Sequence, residues 1–206
     1  MLLLSACLYY VIFIIHCTAL YSLDFLVLVE LLQSGFFLFC QKNLAAYADK
    51  YKIGLLAYCL MPNHYHLLVQ QNDGGSISRF LQTVFNSFTQ FVNTREGHSG
   101  TMFQGRAQSR QIDSNEYLLV ALRYIHLNPV QAGLVKNPEK WKFSDYTEWI
   151  SDKPVSSTAV IEKARRDFRD RFFISGAEYK GFISESMSAT QTQYWSNLTT
   201  QEKITL

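Results

Sequence analysis

The sequence predicts a mixed α/β domain, because stretches with strand periodicity alternate with stretches of helical periodicity. Leu55–Met61 is apolar, Pro62-Asn63 has the chemistry of a turn, and His64–Gln70 alternates, which together predict a β-hairpin. Residues 77–93 repeat apolar side chains at intervals of three and four, which predicts an amphipathic helix. A length of 206 residues and a hydrophobic content of 48% suit one packed domain with extensions.

Further elements follow from the same periodicities. Ser76 or Ser78 is the predicted cap of the 77–93 helix. Asp113 and Glu116 have the spacing of a capping box, which predicts a helix that runs through residues 118–124. The other predicted elements are helices at Leu23–Leu32 and Lys42–Tyr51, a strand within Met102–Ile112, the end of the 118–124 helix at Pro129 and Gly133, and a basic helix around Ile161–Arg171.

The first 41 residues contain no Lys or Arg and only two acidic side chains, Asp24 and Glu30. The other 165 residues therefore carry 19 basic and 15 acidic side chains, a net charge of +4. This mild excess is compatible with a polyanionic partner but does not identify one.

The N-terminal segment is apolar enough to raise the question of a membrane anchor. Met1–Ile15 is shorter than the ~20 residues needed to cross a bilayer and lacks the basic start of a signal peptide. Leu20–Cys40 is long enough, but Asp24 and Glu30 would be costly in lipid. We therefore interpret residues 1–41 as buried core that packs on or completes the domain, and expect a cytoplasmic protein.

The four cysteines show no metal-binding or disulfide pattern. Cys7, Cys17, Cys40 and Cys59 contain no CxxC pair, and a chain of this size does not need a disulfide framework. We interpret them as reduced, buried thiols, as expected in the cytoplasm.

Two histidines one residue apart, His64 and His66, are the strongest functional candidates. Residues i and i+2 of a strand point to the same face, so both imidazoles can reach one metal ion. Two ligands are too few for a closed zinc site, and an open site fits better. Taken alone, such a pair in a strand is more often structural than metal-binding.

A second segment could complete that site. Tyr124 and Asn128 are four residues apart, so a helix places them on one face, whereas His126 should point elsewhere. Tyr124 offers a nucleophile, and the Asn128 side chain offers an oxygen suited to magnesium or manganese. Each residue alone has an ordinary explanation: Tyr124 as core, and Asn128 as part of a helix end.

Three segments in order, residues 58–69, 103–106 and 123–135, resemble the single-tyrosine HUH transposases, IS200-like, and most of all their REP-associated tyrosine transposase branch. The resemblance covers residues 42–150, which we take as the catalytic domain, with residues 151–206 as a helical extension ending in a loosely ordered polar tail. It implies a ferredoxin-like fold with a central antiparallel sheet flanked by helices.

The resemblance also implies an activity and a set of roles. It implies cleavage and rejoining of single-stranded DNA at hairpin-associated sites, through a 5′-phosphotyrosine intermediate and with Mg²⁺ or Mn²⁺. His64 and His66 match the metal-binding pair, Tyr124 the nucleophile and Asn128 the third ligand. The implied partner is single-stranded or hairpin DNA, with no obligate protein partner and a monomer or homodimer as the functional form.

Several other side chains are candidates for DNA contact. Phe103 could stack on an exposed base, and four arginines could contact phosphates, although a solvated surface explains each equally well. The arginines are Arg79, Arg106, Arg110 and Arg123. For the basic cluster Lys163, Arg165, Arg166, Arg169 and Arg171, a solvated helix face is favoured over a grip on DNA.

Two alternatives remain open. The family's Arg/Gly/Asn-rich opening is absent from residues 1–41, so either an unusual apolar strand and helix replace it or this part of the chain is altered relative to the family. The anomalous N-terminus also motivates a second function, a DNA-binding protein that keeps the fold without turnover. A metal-dependent hydrolase unrelated to DNA is the least favoured reading, because neither long motif supplies an acidic general base.

Overall fold

The computed structural model describes residues 10–16, 35–97, 99–103, 107–152, 165–185 and 188–203, with the backbone alone for 11–16, 96 and 197–203. The predicted helix Leu23–Leu32 lies outside these residues, as do Cys7, Cys17, Arg106 and Lys163. Cys40 and Cys59 are buried free thiols, as predicted.

One antiparallel sheet forms the centre of the described structure. Its strands are β1 (Tyr10–His16), β2 (Ile53–Leu60), β3 (His64–Gln71) and β4 (Gln108–Ile112), in the spatial order β2-β3-β1-β4. This is the strand order of the ferredoxin-like split βαβ arrangement. The predicted fold class is confirmed.

Helices cover both faces of this sheet. They are α1 (Phe36–Lys50), α2 (Ile77–Glu96), α3 (Asn115–Gln131), α4 (Tyr146–Ile150), α5 (Gly176–Ser184) and α6 (Ala189–Lys203), with a 3-10 turn at Pro138–Lys140 and a helical turn at 165–169. α1 begins six residues before the predicted start at Lys42. The polar tail, predicted to be loosely ordered, instead contains α6, which packs along α3.

The alternation of β3 separates two hydrophobic cores. Tyr65 and Leu67 face the core formed with α1 and α2, whereas Leu68 faces the core formed with α3 and the C-terminal helices. His66 lies on the same side as Leu68, because residues two apart in a strand share a face. The sheet therefore separates the α1/α2 layer from the layer that carries the candidate site.

The ends of α3 fix where its side chains point. The Ser114 side chain accepts a hydrogen bond from the Tyr117 backbone amide at 3.1 Å, so the cap is Ser114 and the predicted cap at Asp113 was wrong by one residue. At the other end, Gly133 has φ +69° and the Leu134 amide bonds the Pro129 carbonyl at 2.9 Å. This is a Schellman ending, and the helix ends two residues beyond Pro129.

The N-terminal strand lies in the middle of the sheet. β1 pairs with β3 from Tyr10 opposite Gln70 to His16 opposite His64, and with β4 on its other side. An apolar strand therefore does complete the sheet, which supports the first of the two alternatives for residues 1–41. None of the helices among the described residues is long and apolar enough to cross a membrane.

Two arginines of the basic cluster in the C-terminal extension, Arg165 and Arg169, are buried, whereas Arg166 is partly exposed and Arg171 is exposed. Arg165 is 4% exposed, and its guanidinium contacts Asp145 at 2.9 Å and Glu148. Arg169 is 5% exposed and pairs with Asp152 at 3.2 Å. Both arginines dock the extension onto the domain, which corrects the prediction of a solvated helix face for these two residues.

Candidate active site

The two histidines lie together at the start of β3. The ring centroids of His64 and His66 are 4.6 Å apart and the ring planes are perpendicular. His66 is fully buried and His64 is partly exposed. The predicted common face of the pair is confirmed, and it opens to solvent on the His64 side.

Tyr124 reaches this pair from α3. Its ring centroid lies 5.2 Å from that of His66, with the two rings edge to face, and the tyrosine is fully buried. α3 packs against β2 and β3, so the helix presents Tyr124 to the strand that carries the histidines. The structure thus brings together three of the predicted site residues.

Asn128 lies one turn further along α3 and is 5% exposed. Its backbone carbonyl accepts a hydrogen bond from the Ala132 amide at 2.9 Å, as part of the helix. The side-chain amide is therefore the group of Asn128 that could bind a metal ion. The four-residue spacing puts this side chain on the same face of α3 as Tyr124.

The donor set at this site fits a divalent ion. Imidazole nitrogens bind divalent ions, and the His64 and His66 rings lie on one face with centroids 4.6 Å apart, so both side chains could hold one ion. Among the described residues, no three His, Cys, Asp or Glu side chains form a metal cluster, so Asn128 or water would have to supply further ligands.

A side chain from the C-terminal helix covers the tyrosine. The Trp195 ring of α6 packs edge to face on Tyr124 with centroids 5.4 Å apart. On the same helix, Tyr194 stacks on Tyr117 at 4.6 Å. Just before that helix, the Ser188 hydroxyl donates to Glu116 at 3.3 Å. Sequence analysis missed Trp195 because nothing in the polar tail indicates a contact with α3.

Of the predicted DNA contacts, Arg110 and Arg79 lie on the surface at different places. Arg110 is half-buried on β4, on the same face as Ile112 of the α3 core. It lies beside Tyr117, whose pKa is raised by burial and partly lowered by this guanidinium. Arg79 is exposed in the first turn of α2, which follows the C-terminal end of β3, whereas His64 is at the N-terminal end of that strand.

Two other predicted contacts lie elsewhere than expected. Phe103 packs in the α1/α2 core, with its ring 4.7 Å from Phe85 and 5.8 Å from Tyr65, away from the candidate site. Arg123 is 2% exposed, with its guanidinium 4.2 Å from the Phe182 ring and donating to the Phe182 carbonyl. This corrects the prediction of an exposed arginine: in this arrangement Arg123 binds the extension.

His126 points away from the site, as predicted, into a buried polar network. Its Nε2 donates to Asp145 at 3.0 Å, and its Nδ1 lies 2.5 Å from the Tyr179 hydroxyl. Asp145 also accepts from the Tyr58 backbone amide at 2.9 Å and from Trp149 at 3.2 Å. The network joins α3, β2, α4 and α5, and thereby fixes the rotation of the helix that carries Tyr124.

Burial alone would raise the pKa of the Asp145 carboxyl group. Arg165 and the hydrogen bond from His126 lower it by more, so its pKa lies below the ordinary value of 3.8. Burial also raises the pKa of the nearby Cys59 thiol and Tyr179 hydroxyl, which stay neutral. The network is therefore an anion surrounded by donors, without a reactive nucleophile.

Part of the chain is similar to proteins of a known family. Residues 30–128 match the model of a protein family described as "Transposase IS200 like". This segment, a little under half of the chain, is therefore similar to the IS200-like transposases.

Two similar proteins are described as REP-associated tyrosine transposases. A Haemophilus influenzae protein with the provisional name REP-associated tyrosine transposase is 30% identical over 108 residues, which are 48% of this chain and 61% of the relative. The match thus spans about three fifths of that protein. A solved structure of a REP-associated tyrosine transposase bound to a REP hairpin has a TM-score of 0.56, with 16% identity, over 72% of this chain and 89% of that one. This second match shows the shared fold.

Proposed function

We propose that this protein cleaves and rejoins single-stranded DNA at hairpin-associated sites, with Tyr124 as the nucleophile. The observation that carries the proposal is the contact between the Tyr124 and His66 rings, with centroids 5.2 Å apart, on the face that His66 shares with His64. A tyrosine beside two potential metal ligands is the arrangement that phosphoryl transfer to a protein hydroxyl needs.

The step follows from the chemistry of a phosphodiester. The Tyr124 oxygen attacks phosphorus and loses its proton to solvent, while the bond to the 3′ oxygen breaks and that oxygen takes up a proton. The products are a DNA 5′-phosphate ester of Tyr124 and a free 3′-hydroxyl. Because one ester replaces another, a 3′-hydroxyl can reverse the step without a nucleotide cofactor.

His64, His66 and Asn128 would hold the divalent ion, Mg²⁺ or Mn²⁺. When bound, such an ion neutralises charge on the phosphate oxygens and so helps a weak nucleophile. An unmodified tyrosine has a pKa near ~10, so it is largely protonated at neutral pH and needs this help. The proximity of the two imidazole rings on one face of β3 supports the assignment.

The proposed partner is DNA with a hairpin. A relative of the same fold is described as bound to a REP hairpin, and we extend that partner to this chain as a proposal. Arg110, which is partly exposed on β4 on the α3 side of the sheet, is the proposed phosphate contact.

The test is incubation with a hairpin-bearing single-stranded oligonucleotide and Mn²⁺, followed by denaturing gel electrophoresis. We expect a protein–DNA adduct that EDTA prevents and that Tyr124→Phe abolishes, since that change removes only the hydroxyl. Tyr117→Phe, on the same helix, is the matched control and should leave the adduct. An adduct that persists in Tyr124→Phe would refute the proposal.

The alternative is a protein of the same fold that binds DNA but does not cut it. The full burial of Tyr124 beneath Trp195 favours this alternative, because DNA cannot reach a covered hydroxyl. Hairpin binding that survives EDTA, with no adduct even after α6 is removed, would select this function.

A further inference from the structure

We propose that Asn63 is a positioning residue, which fixes the orientation and the tautomer of His64 so that Nε2 is the metal-binding nitrogen. The inference rests on the proposed function, because it concerns the same metal site. It is carried by one contact: the Asn63 Oδ1 and His64 Nδ1 atoms lie 2.7 Å apart.

The hairpin turn holds Asn63 in place for this contact. The Met61 backbone amide donates to the His64 carbonyl at 2.9 Å, which closes the turn over Pro62 and Asn63. β2 and β3 then pair from Leu60 opposite Tyr65 onward. Both partners of the contact are thus attached to a rigid element, which keeps the amide beside the ring.

The chemistry of the contact selects the tautomer. An amide oxygen only accepts hydrogen bonds, so His64 Nδ1 must carry the proton. In a neutral imidazole the lone pair is then on Nε2, the form that binds a metal. Nε2 is the buried end of the ring, and the His66 ring lies 4.6 Å away centroid to centroid. Partners on the second nitrogen generally orient metal-binding histidines in this way.

Two substitutions separate this role from a role in folding. Asn63 has a negative φ, so alanine fits the backbone, and Asn63→Ala removes the acceptor. Asn63→Asp keeps an acceptor at the same place and cannot donate. If the Asn63 amide had the opposite orientation, its NH₂ group would donate to His64 Nδ1. Asn63→Asp, which has no such donor, would then weaken metal binding as much as Asn63→Ala.

The experiment is a calorimetric titration of the full chain with Mn²⁺ alone, which measures the affinity for the ion. We expect Asn63→Ala to weaken Mn²⁺ binding about 10–100-fold, the usual effect of losing such a partner, and Asn63→Asp to stay within a few-fold of wild type. In wild type, ¹⁵N–¹H correlation spectra of the imidazoles should show His64 protonated at Nδ1. Circular dichroism and hairpin affinity in EDTA should be the same for all three proteins.

The outcomes distinguish this inference from the function on which it rests. Equal Mn²⁺ affinity in wild type and Asn63→Ala would overturn the positioning role and leave the metal site standing. Equal losses in Asn63→Ala and Asn63→Asp would overturn it as well. If wild type and His64→Ala both fail to bind Mn²⁺, the metal site itself is refuted, and this inference with it.

Discussion

The ring of Trp195 packs against the ring of Tyr124, with centroids 5.4 Å apart, and joins the last described helix to the candidate nucleophile. Trp195 is partly exposed and Tyr124 is fully buried, so the tryptophan separates the tyrosine from solvent. In this arrangement the candidate nucleophile lies beside the proposed metal ligands but is closed to DNA. On the proposed mechanism, α6 would have to move before Tyr124 could react.

We expect Trp195→Ala to increase the initial rate of adduct formation at Tyr124 several-fold. The substitution removes the covering ring, and the cost in stability should be about 2 kcal/mol, below the range for a fully buried tryptophan. Gel-based initial rates and thermal melting measure the two effects separately.

Tyr194→Ala provides the matched control on the same helix. Tyr194 stacks on Tyr117 and not on Tyr124, so its loss should loosen α6 with a smaller gain in rate. If Trp195→Ala reacts no faster than wild type while melting at a lower temperature, the ring is core and does not limit access.

Asp145→Asn should destabilise the protein by about 3–5 kcal/mol, because it leaves the Arg165 guanidinium buried without one of its carboxylate partners. The cost should appear in urea unfolding curves at neutral pH. Asp113→Asn is the control, since Asp113 is exposed and surface substitutions usually change stability by less than about 0.5 kcal/mol.

The Asp145 carboxylate also predicts that the stability of wild type falls at acid pH, a decrease called the acid limb below. Its pKa is lower in the folded protein than the ordinary value of 3.8, so it stabilises the fold above that pH. The contribution should be lost progressively as the pH falls below 3.8 toward the folded-state pKa. In Asp145→Asn this component of the acid limb should be missing, and an unchanged limb would contradict its assignment to Asp145.

Arg123→Met should lower stability by about 1–3 kcal/mol without weakening DNA binding. The change removes a buried donor to the Phe182 carbonyl and a cation stacked on the Phe182 ring, but no exposed charge. Thermal melting and hairpin affinity in EDTA measure the two quantities.

A double-mutant cycle with Phe182→Leu tests the cause. The two substitutions should be less than additive in stability, because they remove the same contact from opposite sides. A loss of hairpin affinity in Arg123→Met at a temperature where it is folded would return Arg123 to the DNA interface.

Arg110→Ala should weaken hairpin binding and reduce the slope of log affinity against log salt by about one, as expected for one lost phosphate contact. Arg79→Ala should leave the slope unchanged, because Arg79 lies beyond the C-terminal end of β3, whereas His64 is at the N-terminal end of that strand. Affinities at several salt concentrations measure both. A slope that changes only in Arg79→Ala would move the DNA path to the other end of the sheet.

The features that were predictable from sequence are those set by residues close in the chain. The Pro62-Asn63 turn identified the hairpin, and the Ser76 side chain caps α2 by accepting from the Arg79 amide at 3.4 Å. The spacing of His64 and His66 gave their common face, since strand periodicity is local.

The features that were not predictable depend on contacts between distant residues. The burial of Arg123 depends on Phe182, 59 residues later, and Arg165 contacts the Leu56 carbonyl 109 residues before it. From sequence alone a basic side chain is expected to be exposed, because the partners that would allow its burial are not known. The cover over Tyr124 was missed for the same reason.

The central position of β1 has a consequence for any shortened form of this protein. The segment that matches the transposase family, residues 30–128, leaves out Tyr10–His16. A fragment with those limits would expose the backbone amides and carbonyls of β3 and β4 that now pair with β1. Two unpaired edges invite association between copies, so the recognisable domain would be prone to aggregate when expressed alone.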